Sequence, residues 1–220
     1  MATNSVLTLV QILAIVSAIL GELVIEKEYT EGFYTGDVNE KGQRHGQGVL
    51  RWKNGDKHAG RFQDNLPNGP GTYFFKNGVI GDRFIGEYTN GRRSNGNGTL
   101  LFSNGNSFEG RFENGVPNGH GVYQWNDGSQ HDGDRYEGEH KDGMRHGVGI
   151  YYWANGKRYE GEFANGKREG FGIMYTENGD NYDGQWKKGQ PFGEGKLTVG
   201  SMTVEVNWVN GKPVPKPKAV

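Results

Sequence analysis

The chain has 220 residues, of which 39 are glycine, and a mean hydropathy of −0.81 with 33% hydrophobic residues excludes a thick apolar core. Aromatic residues make up 12%, which is too many for a disordered chain. The net charge of −1 excludes the positive overall field of a nucleic-acid-binding protein, and the absence of cysteine excludes disulfides and thiolate metal sites. Such a composition favours a repetitive β structure whose rings cover a thin sheet.

The first predicted element is an apolar N-terminal α-helix over residues 1–28. Its apolar run, Val6 to Ile25, is twenty residues long, which is enough for a helix to cross a hydrocarbon layer of ~30 Å. We therefore expect a single-pass membrane anchor that contacts the membrane through residues 6–25. Small side chains at spacings of three and four form a helix-packing face on it. They are Ala14, Ser17, Ala18 and Gly21.

Two other interpretations of this segment stay open. Residues 1–18 could be a cleaved signal peptide, which would make the protein secreted or lumenal. Against this, the first basic residue is Lys27, whereas a signal peptide begins with a positive region. Alternatively, the segment is an apolar helix that packs on the sheet or inside a partner protein.

A repeat of glycine and aromatic residues follows the apolar segment. Its clearest copy begins Tyr159-Glu-Gly161-Glu-Phe163, continues through a turn and ends with Gly170-Phe-Gly172 and an apolar strand. The same frame opens at seven positions: 34, 58, 84, 108, 136, 159 and 182. Two of the steps between them are longer than the usual 23 or 24 residues, and the extra residues fall in Val79–Arg83 and Ser129–Arg135. We predict that these two stretches are looped insertions.

Each repeat has the pattern of one β-hairpin. Aromatic residues two apart alternate with polar ones, which is the period of a strand. Asn-Gly pairs supply the positive φ of tight turns, and they occur at 54–55, 77–78, 104–105, 155–156 and 178–179. The glycines at fixed strand positions are predicted to let a neighbouring aromatic ring lie flat across the backbone. Stacked hairpins of this kind make an all-β, antiparallel meander.

This pattern resembles the MORN (membrane occupation and recognition nexus) repeat family from Tyr34 to Gly195, with a degenerate end to about Gly211. The resemblance implies an elongated, single-layer sheet of about seven hairpins over residues 29–200. Residues 201–220 are expected to be a degenerate capping strand and a Pro/Lys-rich tail. The chain departs from the pattern at four positions, Val38, His58, His140 and Val206.

No set of residues in the repeats predicts catalysis, a metal or a cofactor. His45 and His146 occupy the same position of repeats four apart, so they cannot share a metal. The acidic stretch from Asn126 to Asp142 lacks the spacing of a calcium loop. Paired glutamates such as Glu160 and Glu162 flank the strand glycine and face solvent by alternation. We therefore predict that the protein is not an enzyme.

Two surfaces are candidates for binding. Aromatic residues beside the glycines would make an interaction surface, and those singled out are Phe112, Trp125, Trp153, Phe163, Trp186 and Trp208. Basic residues near the turns would contact lipid headgroups, unless they are ordinary solvated turn residues. They are Arg92, Arg93, Lys167, Arg168, Lys187 and Lys188.

The sequence and the family resemblance together predict a non-catalytic scaffold or accessory subunit of a membrane-associated multiprotein complex. Its expected partners are other proteins of the complex, the membrane and anionic lipids, with no nucleic acid. Two alternatives remain: a tethering module that binds phosphoinositides or other anionic lipids, and a structural component of axonemes or the cytoskeleton.

Overall fold

The computed structural model describes residues 22–76, 83–209 and 211–216. Across these ranges the chain forms 17 β-strands, and no helix occurs among them. By its contacts the chain divides into two compact units, Met1–Phe102 and Ser103–Val220. We call these the N-terminal unit and the C-terminal unit.

The strands follow one another as an antiparallel meander in each unit. The N-terminal unit has β1 (Glu22–Tyr29), β2 (Gly32–Val38), β3 (Arg44–Trp52), β4 (Lys57–Gln63), β5 (Leu66–Phe74), β6 (Arg83–Thr89) and β7 (Arg92–Leu101). The C-terminal unit has β8 (Ser107–Glu113), β9 (Val116–Gln124), β10 (Arg135–Lys141), β11 (Met144–Tyr152), β12 (Arg158–Ala164), β13 (Lys167–Tyr175), β14 (Asn181–Lys187), β15 (Gln190–Val199), β16 (Met202–Val209) and β17 (Lys212–Pro215). Within each unit every strand pairs with the next. The predicted all-β antiparallel meander is confirmed.

The predicted helix over residues 1–28 is wrong where the structure describes the chain. Glu22–Tyr29 is strand β1, which pairs with β2 in a register that places Val24 opposite Gly36. Val24 packs against the core, whereas Leu23 and Ile25 are exposed. The apolar run suggested a helix, but strand pairing with β2 satisfies this backbone instead. The remainder of the predicted anchor, including Ala14, Ser17, Ala18 and Gly21, lies outside the described residues.

No helix in residues 22–76, 83–209 and 211–216 has the length and apolarity needed to cross a membrane. Because β1 takes the end of the apolar run, only Val6–Gly21 of that run precedes the first strand.

Tight two-residue turns connect the two strands of most repeats. At Asn165-Gly166 both residues have positive φ, 50° and 77°, which is the geometry of a type I′ hairpin turn. Equivalent pairs are Asp64-Asn65, Asn90-Gly91, Asn114-Gly115, Asp142-Gly143 and Lys188-Gly189. The Asn-Gly pairs that the sequence pattern assigned to hairpin turns lie instead in the loops between repeats. Their glycines do have positive φ, as at Gly156 with 85°, and Asn77-Gly78 lies outside the described residues.

The two glycines of each Gly-x-Gly motif have different physical roles. The first, such as Gly170 with φ of 68°, lies where the register between strands β12 and β13 shifts, a bulge that favours positive φ. The second, such as Gly172, lies under the ring of Tyr159, so that any Cβ there would overlap the ring. The predicted flat packing of an aromatic ring over glycine is therefore confirmed.

Aromatic contacts then link successive repeats. The first aromatic of one repeat meets the second aromatic of the next edge to face, with ring centroids 5.0 Å apart for Tyr136 and Phe163 and 5.0 Å for Tyr159 and Trp186. Such pairs add about 0.5–1.5 kcal/mol beyond their buried area. Both positions are buried in all seven repeats, including the departures Val38, His58 and His140. In each unit the core is therefore a layer of mostly aromatic side chains on one face of the strands.

The C-terminal end of the sheet loses the glycine. Val206 of β16 pairs with Gly195 and is buried, where the repeats would place glycine. The segment predicted to cap the sheet contains strand β16. Within the predicted Pro/Lys-rich tail, Lys212–Pro215 forms a further short strand, β17, which pairs with β16. Pro213 and Pro215 lack the N–H groups that would recruit another strand.

Candidate binding clefts on the aromatic face

The two faces of the sheet differ in chemistry. We call the face that bears Tyr159, Gly161 and Phe163, with their counterparts in other repeats, the aromatic face. The opposite face carries partly exposed charge pairs, such as Arg158 with Glu160 at 2.6 Å. Pairs of this kind on a surface contribute little to stability. Two open clefts lie on the aromatic face, one in each unit.

The N-terminal unit has an open cleft of roughly 370 Å³ on this face. Trp52, Tyr73 and Tyr88 line it together with Arg44. The Arg44 guanidinium is buried, donates from Nε to the Asn65 carbonyl over 3.1 Å, and pairs through Nη2 with Glu31 Oε1 at 2.5 Å. The cation of this cleft is therefore already neutralised by a carboxylate of the same unit.

Arg44 in turn holds the Glu31 carboxylate in its charged form. Partial burial of Glu31 acts to raise its pKa, but hydrogen bonds and the charge of Arg44 outweigh that effect and lower the pKa. The pair is thus a stable ionised one at neutral pH.

The C-terminal unit has an open cleft of roughly 220 Å³, lined by Tyr151, Trp153, Phe163 and two arginines, Arg145 and Arg168. Arg145 Nη2 donates to the Gly166 carbonyl over 2.8 Å, and Arg168 Nη2 donates to the Gly189 carbonyl over 2.6 Å. Each arginine therefore fixes the hairpin turn of the following repeat. In the described part of this unit, neither guanidinium forms an ion pair with a carboxylate.

Aromatic rings surround both of these guanidinium groups. Arg168 Cζ lies 4.4 Å from the ring centroid of Trp186 and 5.6 Å from that of Trp153. Arg145 Cζ lies 5.0 Å from the ring centroid of Tyr151. At these distances the ring quadrupole attracts the cation. Rings therefore take the place of carboxylates in holding the two arginines.

The register explains why two arginines meet in one cleft. One strand position faces the second aromatic of each repeat, as Arg168 faces Phe163 and Arg145 faces His140. Along the chain this position is occupied by Arg44, Pro67, Arg93, Pro117, Arg145, Arg168 and Pro191. Only the fifth and sixth repeats have arginine in succession. In the sequence the two arginines occur in the pattern Lys/Met-Arg-x-Gly, where other repeats have Leu/Val-Pro-Asn-Gly. Only the cross-strand register shows that this position faces the second aromatic of the repeat.

A buried carboxylate closes the insertion loop beside the C-terminal cleft, and sequence reasoning missed it. Asp134 accepts hydrogen bonds from the Tyr151 hydroxyl at 2.5 Å, from the Ala154 N–H at 2.9 Å and from His131 Nδ1 at 3.0 Å. Asp56 has the same role in the N-terminal unit, where it accepts from the Tyr73 hydroxyl at 2.7 Å. An Asp or Asn two residues before the first aromatic would have been the signal. The predicted loop at Ser129–Arg135 is present as far as residue 134, and β10 begins at Arg135.

The six aromatic residues predicted as an interaction surface fall into two groups. Phe112, Phe163 and Trp186 are buried in the core, although Phe163 also forms part of the wall of the C-terminal cleft. Trp125 and Trp153 are half-buried on the aromatic face, and so is Trp208. These three are the members of the predicted set that a partner would contact most readily.

The six predicted headgroup-binding residues also divide. Arg93 and Arg168 are half-buried over aromatic rings, and burial lowers the pKa of both guanidinium groups. The other four are exposed at or next to the two-residue turns, and they are Arg92, Lys167, Lys187 and Lys188. The headgroup hypothesis therefore depends on these four.

The histidines that replace aromatic residues are held neutral. Burial lowers the pKa of His58 to about 4 and that of His140 to about 4. His140 Nδ1 lies 3.1 Å from the Gly138 carbonyl, whereas neither ring nitrogen of His58 has a hydrogen-bond partner in the described part of the chain. Among the described residues, no group of His, Asp or Glu is arranged to hold a metal ion.

The family model for the MORN repeat matches residues 34–57, 58–80, 84–107, 108–130, 136–158, 159–181 and 182–198. These segments begin at the seven positions where the glycine and aromatic frame opens, and they cover more than half of the chain. The chain therefore belongs to the MORN repeat family, and its repeats form a scaffold or binding module. A comparison with curated proteins found no match.

Proposed function

We propose that the protein is a non-catalytic scaffold whose aromatic face binds a segment of a partner protein. The observation that supports this most directly is the pair of open clefts lined by half-buried aromatic rings, one in each unit. Half-buried Trp and Tyr are the side chains that contribute most to protein interfaces. Two polar groups at these clefts, Asp134 and Arg44, are engaged in fixing loops and turns rather than in acid–base chemistry.

Trp153→Ala tests this proposal. Trp153 lines the C-terminal cleft and is half-buried at the edge of the core, so its loss removes exposed contact area from the cleft. Phe171→Ala is the matched control, because Phe171 is an exposed aromatic of the same unit on the opposite face. Proteins that co-purify with the full-length chain are expected to be lost with Trp153→Ala and kept with Phe171→Ala. Equal retention by both folded variants would reject the aromatic face as the binding surface.

We propose further that the apolar segment before β1 brings this scaffold to a membrane-associated complex. The support is the apolar run Val6–Gly21, which is short for a spanning helix and long enough to insert partly or to pack against another apolar helix. A charge in its middle would cost about 2.5–3.5 kcal/mol in a membrane.

Membrane fractionation of Ile15→Arg against Ile15→Leu tests the membrane role. We expect the wild-type chain and Ile15→Leu to stay with membranes after carbonate extraction, and Ile15→Arg to be released. Release of all three forms would reject the anchor. Truncation is a poorer test, since any start beyond Glu22 would remove part of strand β1.

A further inference from the structure

The C-terminal cleft concentrates positive charge that the protein itself does not neutralise. Arg145 and Arg168 both line it, and Lys167 stands beside them. Arginine stays protonated in proteins, so at least two full charges share one cleft of roughly 220 Å³. The two guanidinium groups repel each other: burial lowers the pKa of Arg168, and the nearby charge of Arg145 lowers it further.

The acidic group that contacts the wall of this cleft does not relieve the repulsion through an ion pair. Asp134 contacts the cleft residue Tyr151, but its two oxygens already accept from Tyr151, Ala154 and His131. The hydrogen bonds to the Gly166 and Gly189 carbonyls engage one nitrogen of each guanidinium, and a guanidinium has five N–H donors. Donors therefore remain for a ligand.

The N-terminal cleft is the built-in comparison. Its arginine, Arg44, is paired with Glu31 and is itself buried. In the N-terminal cleft a carboxylate of the protein itself, that of Glu31, therefore already binds an arginine beside aromatic rings.

We propose that the C-terminal cleft binds an Asp or Glu side chain of a partner's extended segment, with apolar neighbours of that residue packing on the half-buried Trp153. The inference rests on the proposed scaffold function and names the chemistry of its partner. The forked guanidinium matches a carboxylate through two parallel hydrogen bonds. Both guanidinium groups lie among rings, so the acid must enter the cleft. A protein side chain does this more readily than a bilayer surface, which meets projecting lysines first.

Peptide selection with the full-length chain tests this inference. The probe is a library of random displayed peptides of about ten residues, which span roughly 33 Å when extended. We expect the selected peptides to share an Asp or Glu next to an apolar residue. Changing that acid to its amide should weaken binding at least tenfold, because a hydrogen-bonded charge contributes about 1.5–3 kcal/mol.

Variants of the protein locate the contact. Arg168→Gln and Arg145→Gln should each lower the affinity for the peptide at least tenfold. When the peptide already carries the amide in place of the acid, the same substitutions should lower its affinity little further. The matched control is Arg158→Gln, which removes the same charge from the opposite face of the same unit and should change affinity less than twofold. If a variant fails to fold, the acid-to-amide peptide still tests the proposal on the unaltered chain.

The contrary outcomes are distinct. Selected peptides without an essential acid would overturn the carboxylate site while leaving the scaffold function intact. A selection that yields no binding peptide would overturn both. Vesicles of phosphatidylcholine containing about a fifth phosphatidylserine provide the lipid arm. Binding to them that Arg168→Gln abolishes, without any acidic peptide, would assign the cleft to lipid headgroups and reject the proposal.

Discussion

The two clefts are built on the same repeat frame and differ in whether a carboxylate neutralises their arginines. In the N-terminal unit Arg44 pairs with Glu31 at 2.5 Å, and the equivalent position of the next repeat is Pro67. In the C-terminal unit Arg145 and Arg168 follow in succession and are held by rings and carbonyls. The glycines and rings that form the core recur in both units, whereas the residue opposite the second ring varies and changes the chemistry of the surface.

The largest expected effect tests the part that the units share. Gly172→Val puts a side chain where the ring of Tyr159 lies, so the ring or the strand must move. We expect a loss of about 3 kcal/mol of unfolding free energy, measured by urea denaturation. Gly71→Val should cost a similar amount in the N-terminal unit, because the ring of His58 covers Gly71 in the same way.

The control for these substitutions is Phe171→Val, one residue from Gly172 on the exposed opposite face. It changes strand composition without touching the ring layer, so it should shift stability by less than about 0.5 kcal/mol. An equal loss for Gly172→Val and Phe171→Val would mean that the ring packing over glycine is not what stabilises the sheet.

Acid should destabilise both units through their buried histidines. The folded-state pKa of His58 and of His140 is about 4, below the ordinary value of about 6.5. As pH falls below about 6.5 the unfolded chain takes up protons first, so stability is lost progressively down to about pH 4. At pH 5 each histidine should cost roughly 2 kcal/mol relative to neutral pH.

Replacement by phenylalanine sharpens this comparison. His58→Phe and His140→Phe should each remove one share of the acid sensitivity, seen in unfolding free energies at pH 7 and pH 5. His58→Phe should also raise stability at pH 7 by about 1 kcal/mol, because it removes ring nitrogens that are buried without partners. His140→Phe should gain less, since it loses the bond to Gly138. Unchanged acid sensitivity in both variants would contradict burial as the cause of the low pKa.

The sequence predicted what is local and repeated, and missed what depends on pairing. The seven repeat starts and the ring over glycine followed from spacing alone, because each hairpin is encoded within about 23 residues. Strand β1 was missed because its apolar residues continue a longer apolar run, and only pairing with β2 makes it a strand. Arg145 and Arg168 were seen as separate turn residues, or not at all, because the register that brings them together is not visible in either repeat alone.

The smallest expected effect is a weak second binding site in Glu31→Gln, which tests whether charge alone distinguishes the clefts. The amide keeps a hydrogen-bond acceptor for Arg44 but removes the charge that neutralises it. If the missing carboxylate is what makes the C-terminal cleft an acid-binding site, this substitution should create a second, weaker site in the N-terminal unit. Titration calorimetry with a selected acidic peptide should then give a stoichiometry that rises from one toward two. A stoichiometry that stays at one in the folded variant would show that the paired arginines, and not the absence of an internal carboxylate, define the site.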